Sequence, residues 1–168
     1  MKQQVFVIHG GNAFDTYDEY ISYLRGKVLD FDNFFFKDWK SGLSEKLGEN
    51  YEVYLLRMPN PQNAKYLEWA IWFEKHIPFM HDDVILVGHS LGAIFLAKYL
   101  SESTFTKIVK GTFMVAGPYN EDEGKYLHEF SITHPLDKFK AQGGNIFIYH
   151  SKDDPVVAFT EMEKYKKE

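Results

Sequence analysis

The chain has 168 residues, of which 45% are hydrophobic and 17% are aromatic, and it carries a formal net charge of −5 at pH 7. This length and apolar content predict one globular domain spanning residues 1–168 and exclude a disordered chain. The negative charge argues against nucleic acid or an anionic membrane as a partner. The absence of cysteine excludes disulfides, thiolate nucleophiles and cysteine-type zinc sites.

The N-terminus contains only four consecutive apolar residues before His9. A signal peptide needs a longer apolar stretch, and a membrane-spanning helix needs about 20 residues. We therefore expect a soluble, cytoplasmic protein. No pattern in the sequence sets its oligomeric state.

Five short apolar runs, rich in β-branched and aromatic residues, are predicted to be strands. They cover residues 5–8, 53–56, 84–87, 112–116 and 146–149. None of them alternates cleanly between apolar and polar residues. Such runs are typical of a parallel sheet that helices cover on both faces.

Helical periodicity lies between these runs, at residues 34–47, 64–77, 91–100 and 135–141, and the tail from residue 159 is predicted to be a further helix. Since strand and helix alternate, the pattern predicts a three-layer α/β/α sandwich with a mostly parallel sheet of about five strands. Two longer segments, 12–33 and 119–133, are expected to shape a site at the strand ends. The second contains the acidic cluster Glu121, Asp122 and Glu123, for which a solvated loop is favoured over a metal site.

The segment Gly88-His89-Ser90-Leu91-Gly92 follows the third predicted strand directly and opens a helix. It matches the G-x-S-x-G nucleophile elbow, in which the serine occupies a strained turn and the flanking glycines avoid clashes with the neighbouring strand and helix. The helix N-terminus favours negative charge beside the serine. Ser90 is therefore the predicted nucleophile, with an ordinary turn serine as the alternative.

The first predicted strand ends in His9-Gly10-Gly11. Small residues at this place let backbone N–H groups face a substrate oxygen. The N–H of Gly11 or Asn12, together with that of Leu91, is predicted to form an oxyanion hole. An ordinary glycine-rich turn is the alternative.

Two aspartates follow the fifth predicted strand, where the orienting carboxylate belongs in the chain order Ser, Asp, His. Asp154, which directly precedes Pro155, is preferred over Asp153. A plain Asx-Pro turn would also account for the pair.

Four segments together resemble the α/β-hydrolases, specifically the small serine hydrolases of the YdeN and retinoblastoma-binding-protein type. They are VIHGG, RMPNPQNAKYLEWAIWF, ILVGHSLGAIFLAKYL and IYHSKDDPVV. The resemblance covers nearly the whole chain, with residues 15–30 as an insertion. It implies that Ser90 is the nucleophile and Asp154 the triad acid. It also implies hydrolysis of esters or related acyl substrates with no cofactor and no metal.

The chain departs from this family at its end. The resemblance places the catalytic histidine after one more helix and one more strand, whereas only fourteen residues follow Asp154 and none is a histidine. We therefore expect a C-terminally truncated domain that lacks the last strand, with the base beyond residue 168 and with weak or no activity. The fifth strand would then be an exposed edge. Approach of His128 or His134 to Ser90 is the alternative.

The predicted reaction is hydrolysis of a small-molecule acyl substrate through an acyl-enzyme intermediate. His9, His89 and Tyr119 are expected to contact the substrate, and the aromatic residues near the site suggest an apolar acyl group. Core or lid packing is the alternative for those rings. Two rival functions remain: a non-catalytic binding protein on the same fold, and a peptidase or thioesterase that uses the same site.

Overall fold

A computed structural model describes residues 1–29, 38–120 and 127–168. Within these ranges, five strands form one sheet in the order β2-β1-β3-β4-β5, and all four pairings are parallel. The strands are β1 (Gln3–Ile8), β2 (Tyr51–Leu56), β3 (Val84–His89), β4 (Val109–Val115) and β5 (Asn145–Tyr149). The prediction of a parallel sheet of about five strands in an α/β fold is confirmed.

The α-helices of the described residues alternate with the strands. They are α1 (Tyr17–Gly26), α2 (Leu43–Leu47), α3 (Tyr66–Glu74), α4 (Leu91–Glu102), α5 (Asp137–Gln142) and α6 (Thr160–Tyr165). Short 3-10 turns lie at Trp39–Gly42, Ile77–Phe79 and His128–Phe130. Four of these helices, α3 to α6, lie where the periodicity predicts helix.

The predicted helix at residues 34–47 is shorter in the structure. Residues 30–37 lie outside the described residues, and from residue 38 onward a 3-10 turn leads into the five-residue helix α2. Gly42 is the last residue of the 3-10 turn and directly precedes α2. Glycine disfavours a continuous α-helix through this point because it loses more conformational freedom there than any other residue. The predicted helix at 64–77 is also shorter, since Lys65 is extended, the helix ends at Glu74, and a separate 3-10 turn that contains Pro78 begins at Ile77.

Helix α1 was not predicted from the periodicity. It begins with a capping box in which the Glu19 N–H donates to the Thr16 hydroxyl at 3.2 Å and the Thr16 N–H donates to the Glu19 carboxylate at 3.0 Å. No residue of α1 is buried. The apolar period that marks a packed helix is therefore weak, and the pattern Thr-x-x-Glu is the signal that would have located it.

The two faces of the sheet are covered unequally. On one face, α3, α4 and α5 pack with the strands into the main core, which contains Phe6, Leu86, Trp69 and Phe95. On the other face, among the described residues, only α2 and its preceding turn lie over a small cluster around Val5 and Val87. An apolar groove of about 540 Å³ remains on this second face.

The edge strand β5 borders this groove. Phe147 and Tyr149 are 42% and 55% exposed, and Phe147 stacks on Phe113 of β4 with ring centroids 4.7 Å apart. The expectation that helices cover both faces of every strand is therefore not met here in the described part of the chain. β5 also ends the strand order of the described sheet, so its outer backbone edge is open to pairing with another strand.

The strand order places the site. β1 and β3 are neighbours, and the chain leaves them toward opposite sides of the sheet, to β2 and to β4. In open parallel sheets a crevice forms outside the C-terminal ends of the strands at such a reversal. Gly10 follows β1 and Ser90 follows β3, so both lie at this crevice.

Candidate active site

Ser90 forms the corner between β3 and α4. Its backbone has φ 52° and ψ −121°, a left-handed conformation that is strained for a residue with a side chain. The Ser90 N–H donates to the Val115 carbonyl at 2.8 Å, and the Ser90 carbonyl accepts from the Ala93 N–H at 2.9 Å. These bonds tie the corner to β4 and to the first turn of α4.

The glycines on either side of Ser90 leave room for this corner. A Cβ atom on Gly88 would lie 2.6 Å from the Ala93 Cα, and one on Gly92 would lie 2.5 Å from the Ile8 carbonyl oxygen. Both distances are far inside van der Waals contact. Strands β1 and β3 and helix α4 therefore approach this closely only with glycine at both positions.

The turn after β1 lies directly against the serine. A Cβ on Gly10 would be 3.0 Å from the Ser90 Cβ, and one on Gly11 would be 2.6 Å from the Pro61 carbonyl oxygen. The Asn12 N–H donates to that same carbonyl at 2.9 Å. The turn offers two candidate oxyanion donors, the N–H groups of Gly11 and Asn12. The Asn12 N–H is thus already bonded to Pro61, whereas the described backbone hydrogen bonds of the turn do not use the Gly11 N–H.

The Leu91 N–H belongs to the first residue of α4, so it has no acceptor within the helix. The Leu91 side chain lies beside the Gly11 backbone, 3.3 Å from where a Gly11 Cβ would stand. The predicted oxyanion donors Gly11 and Leu91 therefore come from neighbouring pieces of backbone that meet next to Ser90.

Asp154 is held in the loop after β5. One carboxylate oxygen accepts the N–H groups of Val156 and Val157, each at 2.9 Å, and the other lies 3.9 Å from the His150 Nε2. The side chain is 16% exposed. The carboxylate of Asp153, by contrast, is fully exposed and hydrogen-bonds the Ser151 hydroxyl.

His9 and His150 are committed to backbone partners. The His9 Nε2 accepts the Met58 N–H at 3.0 Å, so its Nδ1 carries the proton and donates to the Gly10 carbonyl at 2.6 Å. The His150 side chain is fully buried, and its Nε2 donates to the Val157 carbonyl at 2.7 Å. Neither imidazole is placed as a base for Ser90, and His9 offers a substrate only its ring.

His128 and His134 differ in their surroundings. The His128 Nδ1 pairs with the Asp15 carboxylate at 2.6 Å, and its Nε2 lies 3.5 Å from the Glu129 carboxylate. His134 is exposed. Neither residue lines a cleft at Ser90 among the described residues.

His89 directly precedes Ser90 in the chain and has a lysine partner. The Lys40 Nζ lies 3.3 Å from the His89 Nδ1 and pairs with the Asp38 carboxylate. Since an ammonium group only donates, Nδ1 accepts and the His89 proton lies on Nε2. Burial lowers the pKa of His89, and the charge of Lys40 lowers it further, so the ring is a neutral hydrogen-bond donor.

Sequence reasoning missed Lys40 and Asp38, because nothing in the local pattern marks them and 49 residues separate Lys40 from His89. Burial by itself raises the pKa of Asp38, but the hydrogen bonds and charge of Lys40 outweigh burial and leave that pKa below its usual value. The Asp38 carboxyl is therefore ionised at neutral pH.

Tyr119 packs in the loop that follows β4. Its ring packs edge-on against Tyr165, with centroids 4.9 Å apart, and its hydroxyl donates to the Glu168 carboxylate at 2.8 Å. Among the described residues it lines neither cleft at the serine. The structure thus gives Tyr119 a packing role in the loop that follows β4.

Two clefts meet at Ser90, which lines both of them together with Gly11 and Asn12. The apolar cleft, of about 360 Å³, has further lining residues that are mostly apolar: Ala13, Phe14, Tyr23, Leu91, Pro118, Leu127, Pro155, Val156 and Val157. The polar cleft, of about 500 Å³, is formed further by His9, Gly10, Asp38, Lys40, Pro61 and His89. This arrangement suits a two-sided ligand whose central group lies at the serine.

Comparison with solved structures places this architecture among the α/β-hydrolases. The crystal structure of the ydeN gene product from Bacillus subtilis superposes with a TM-score of 0.68 at 21% identity, over 99% of this chain and 80% of that one. MGS-M1, an α/β-hydrolase enzyme from a Medee basin deep-sea metagenome library, superposes with a TM-score of 0.60 at 15% identity, over 99% of this chain and 63% of that one.

The chain belongs to the serine hydrolase family, whose model matches residues 31–168. The YdeN protein of Bacillus subtilis strain 168 is 26% identical to it over 164 residues, which are 95% of this chain and 75% of the relative. The resemblance stated from the sequence is thereby confirmed at the level of family and fold.

Within the described ranges, no helix is both long and apolar enough to span a bilayer. The acidic cluster Glu121, Asp122 and Glu123 lies outside the described residues.

Proposed function

We propose that the protein hydrolyses a carboxylic ester or a related acyl bond, with Ser90 as the nucleophile. Asp154 orients the base, and the N–H groups of Gly11 and Leu91 form the oxyanion hole. The observation that carries this proposal is the left-handed corner at Ser90, with φ 52°, at the place where two clefts meet. Membership of the serine hydrolase family supports it.

In this mechanism the Ser90 Oγ attacks the acyl carbon while a base takes its proton. The carbonyl oxygen becomes an oxyanion that accepts from Gly11 and Leu91, and the N-terminus of the twelve-residue helix α4 adds a favourable partial charge. Collapse of the intermediate expels the alcohol, which takes the proton from the base. Water then attacks the acyl-serine in the same way and releases the acid.

We assign the base to a histidine outside residues 1–168. His9 and His150 are bonded to backbone groups, and the His89 Nδ1 is occupied by Lys40. A further strand beside β5 would end near Asp154, because the loop that carries Asp154 follows β5. The exposed edge of β5, the adjoining apolar groove and the greater length of YdeN support such a segment.

The test is hydrolysis of p-nitrophenyl butyrate by the 168-residue chain, with added imidazole standing in for the missing base. We expect a slow basal rate. The Ser90-dependent rate, which is the rate of the unaltered chain minus that of Ser90→Ala, should increase about tenfold or more when imidazole is added. A fluorophosphonate probe should label the same serine. Ser101→Ala is the control, since that hydroxyl bonds only within α4, to the Ala97 carbonyl.

Equal rates for the unaltered chain and Ser90→Ala, with and without imidazole, together with no labelling, would contradict the proposal. That outcome would favour the second candidate, a binding protein on this fold, which the commitment of His9, His89 and His150 to other partners supports. If the rate does depend on Ser90, matched ester, thioester and amide substrates separate an esterase from a thioesterase or peptidase.

A further inference from the structure

The apolar cleft at Ser90 contains a tyrosine hydroxyl. Among its described lining residues, only Asn12, Tyr23 and Ser90 have polar side chains, and none has a charged one. In a largely apolar cleft, a small number of polar groups fix the orientation of a ligand and decide which ligands fit. The hydrogen bonds of the Tyr23 hydroxyl therefore bear on the specificity of this cleft.

Helix α1 holds the Tyr23 ring against the body of the protein. The Phe14 ring is 2% exposed, and the Tyr23 ring packs on it with centroids 5.1 Å apart. Tyr20, one turn earlier in α1, packs on the same ring at 5.7 Å. Helix α1 lies outside residues 31–168, which the family model matches. Membership of the family therefore does not by itself imply this wall of the cleft.

The Tyr23 hydroxyl accepts two hydrogen bonds. The Lys27 Nζ donates to it at 2.9 Å, and the Asn12 Nδ2 donates to it at 3.4 Å. A phenolic hydroxyl has two acceptor sites and one O–H donor, and an ammonium group can only donate. Both acceptor sites are therefore used, while the O–H has no acceptor among the described contacts of Tyr23.

The neighbours of this hydroxyl fix its place and strengthen it as a donor. The Asn12 backbone is held on both sides, since its N–H donates to Pro61 at 2.9 Å and its carbonyl accepts from Ala64 at 2.7 Å. The hydroxyl thus meets the side chain of a residue that lines the cleft together with Ser90. Donation from the Lys27 ammonium polarises the O–H bond and makes it a better donor.

The lining of the cleft favours a neutral acceptor over a carboxylate. Lys27 is exposed and is not a lining residue of the cleft. A carboxylate that leaves water for an apolar cleft without a charged partner loses far more hydration energy than a ketone or amide oxygen does. A neutral carbonyl oxygen is therefore the acceptor that suits the Tyr23 hydroxyl.

We propose that Tyr23 is a specificity-determining residue, whose hydroxyl donates a hydrogen bond to a neutral carbonyl oxygen on the ligand arm in the apolar cleft. The substrate class is an acyl compound with an apolar arm that a keto, amide or second ester group interrupts. This inference rests on the proposed function only for the place of the reacting carbonyl at Ser90. The arm belongs to either side of that carbonyl.

The test measures binding to the Ser90→Ala form, in which no bond is cleaved. The probes are methyl hexanoate, methyl 4-oxohexanoate and methyl 5-oxohexanoate, titrated by NMR chemical shift at pH 7.5. Each has one long arm, which the apolar cleft accommodates. The measured quantity is the affinity of an oxo probe divided by that of methyl hexanoate, and we call it the oxo ratio.

We expect Tyr23→Phe, added to Ser90→Ala, to lower the oxo ratio of at least one oxo probe by about fivefold. Comparing ratios between the two forms cancels the difference in hydration between the probes, because that difference is the same for both forms. Tyr23→Phe removes one oxygen and keeps the ring that packs on Phe14.

Tyr20→Phe is the matched control. It also removes one hydroxyl from a tyrosine of α1 that packs on Phe14. Tyr20 is not among the described lining residues of the apolar cleft. The oxo ratio should therefore stay unchanged in this variant.

An oxo ratio that Tyr23→Phe leaves unchanged for both oxo probes, or that Tyr20→Phe lowers equally, would overturn the proposal. Lys27→Met keeps it testable if Tyr23→Phe fails to fold. Loss of the ammonium should lower the ratio, and an unchanged ratio would count against the proposal. Because binding is measured without Ser90, a failure of hydrolysis leaves this result readable on its own.

Discussion

At the scale of single residues, the site depends on backbone geometry that particular side chains permit or forbid. Ser90 holds a left-handed backbone that costs about 1–3 kcal/mol, and its hydrogen bonds to Val115 and Ala93 hold it there. Gly88 and Gly92 let the neighbouring backbones close around it. The motif was recognisable from the sequence because this strain restricts which residue types fit.

Gly92→Ala should destabilise the fold by about 2–4 kcal/mol, because the added methyl group would meet the Ile8 carbonyl oxygen at 2.5 Å and the His9 carbonyl oxygen at 2.7 Å. Urea unfolding followed by tryptophan fluorescence measures the change. Gly26→Ala is the control, since a Cβ there meets nothing within 4 Å, and we expect no loss of stability. Equal stability of the two variants would show that α4 can shift away from β1 at little cost.

At the scale of elements, the loop after β4 depends on a short helix. Helix α6 has six residues, too few to be stable by itself. Its fully buried Glu161 accepts the Tyr119 N–H at 2.8 Å and the Asn120 N–H at 3.4 Å, and it also pairs with Lys164. This single carboxylate joins the helix to the loop that leads away from the site.

Glu161→Ala should lower the free energy of unfolding by about 3 kcal/mol, because it leaves two backbone N–H groups without their acceptor. Glu161→Gln keeps one acceptor oxygen and should cost less. Glu163→Ala, at an exposed position of the same helix, serves as the control and should be nearly neutral. Thermal and urea unfolding of the three variants test this ranking, which fails if Glu161→Ala matches Glu163→Ala.

The elements also differ in how well the sequence marks them. Strands β1 and β3 and helix α4 carry dense apolar runs because they are buried, and all three lie where they were predicted. Helix α1 has no buried residue and shows only its capping box. Burial thus generates the periodicity on which prediction depends, and exposed elements are recognised only by their ends.

At the scale of the whole molecule, the unequal cover of the sheet separates two surfaces. The main core on the α4 face holds the strands together, while the second face presents the apolar groove and the exposed aromatic residues of β5. The site lies at the C-terminal edge between these faces. His89 is half-buried at that edge. Its protonation state should therefore affect both the charge of the site and the stability of the fold.

The stability of the chain should fall as the pH falls below about 6.5. Burial, and after it the charge of Lys40, hold the pKa of His89 below its usual 6.5 in the folded state. Between these two pKa values the unfolded chain binds more protons, so the free energy of unfolding rises with pH across this window. The pKa of Asp38 is also lowered in the folded state, from a usual value of 3.8. The free energy of unfolding should therefore fall further as the pH drops below about 3.8.

Urea unfolding at pH 5 and pH 7.5 measures this dependence. His89→Asn should reduce the difference between the two pH values, whereas His134→Asn, at an exposed position, should leave it unchanged. An undiminished difference in His89→Asn would assign the dependence to other groups.

The sequence by itself determined the parallel α/β class, the corner at Ser90 and the position of Asp154 after β5, because each depends on local residue types in chain order. Only the tertiary structure decided which groups surround the serine. It brought Lys40 to His89 across 49 residues, engaged Asn12 with Pro61 and turned Tyr119 toward Tyr165. Such contacts depend on how distant segments pack against one another, and no local pattern of residues encodes that packing.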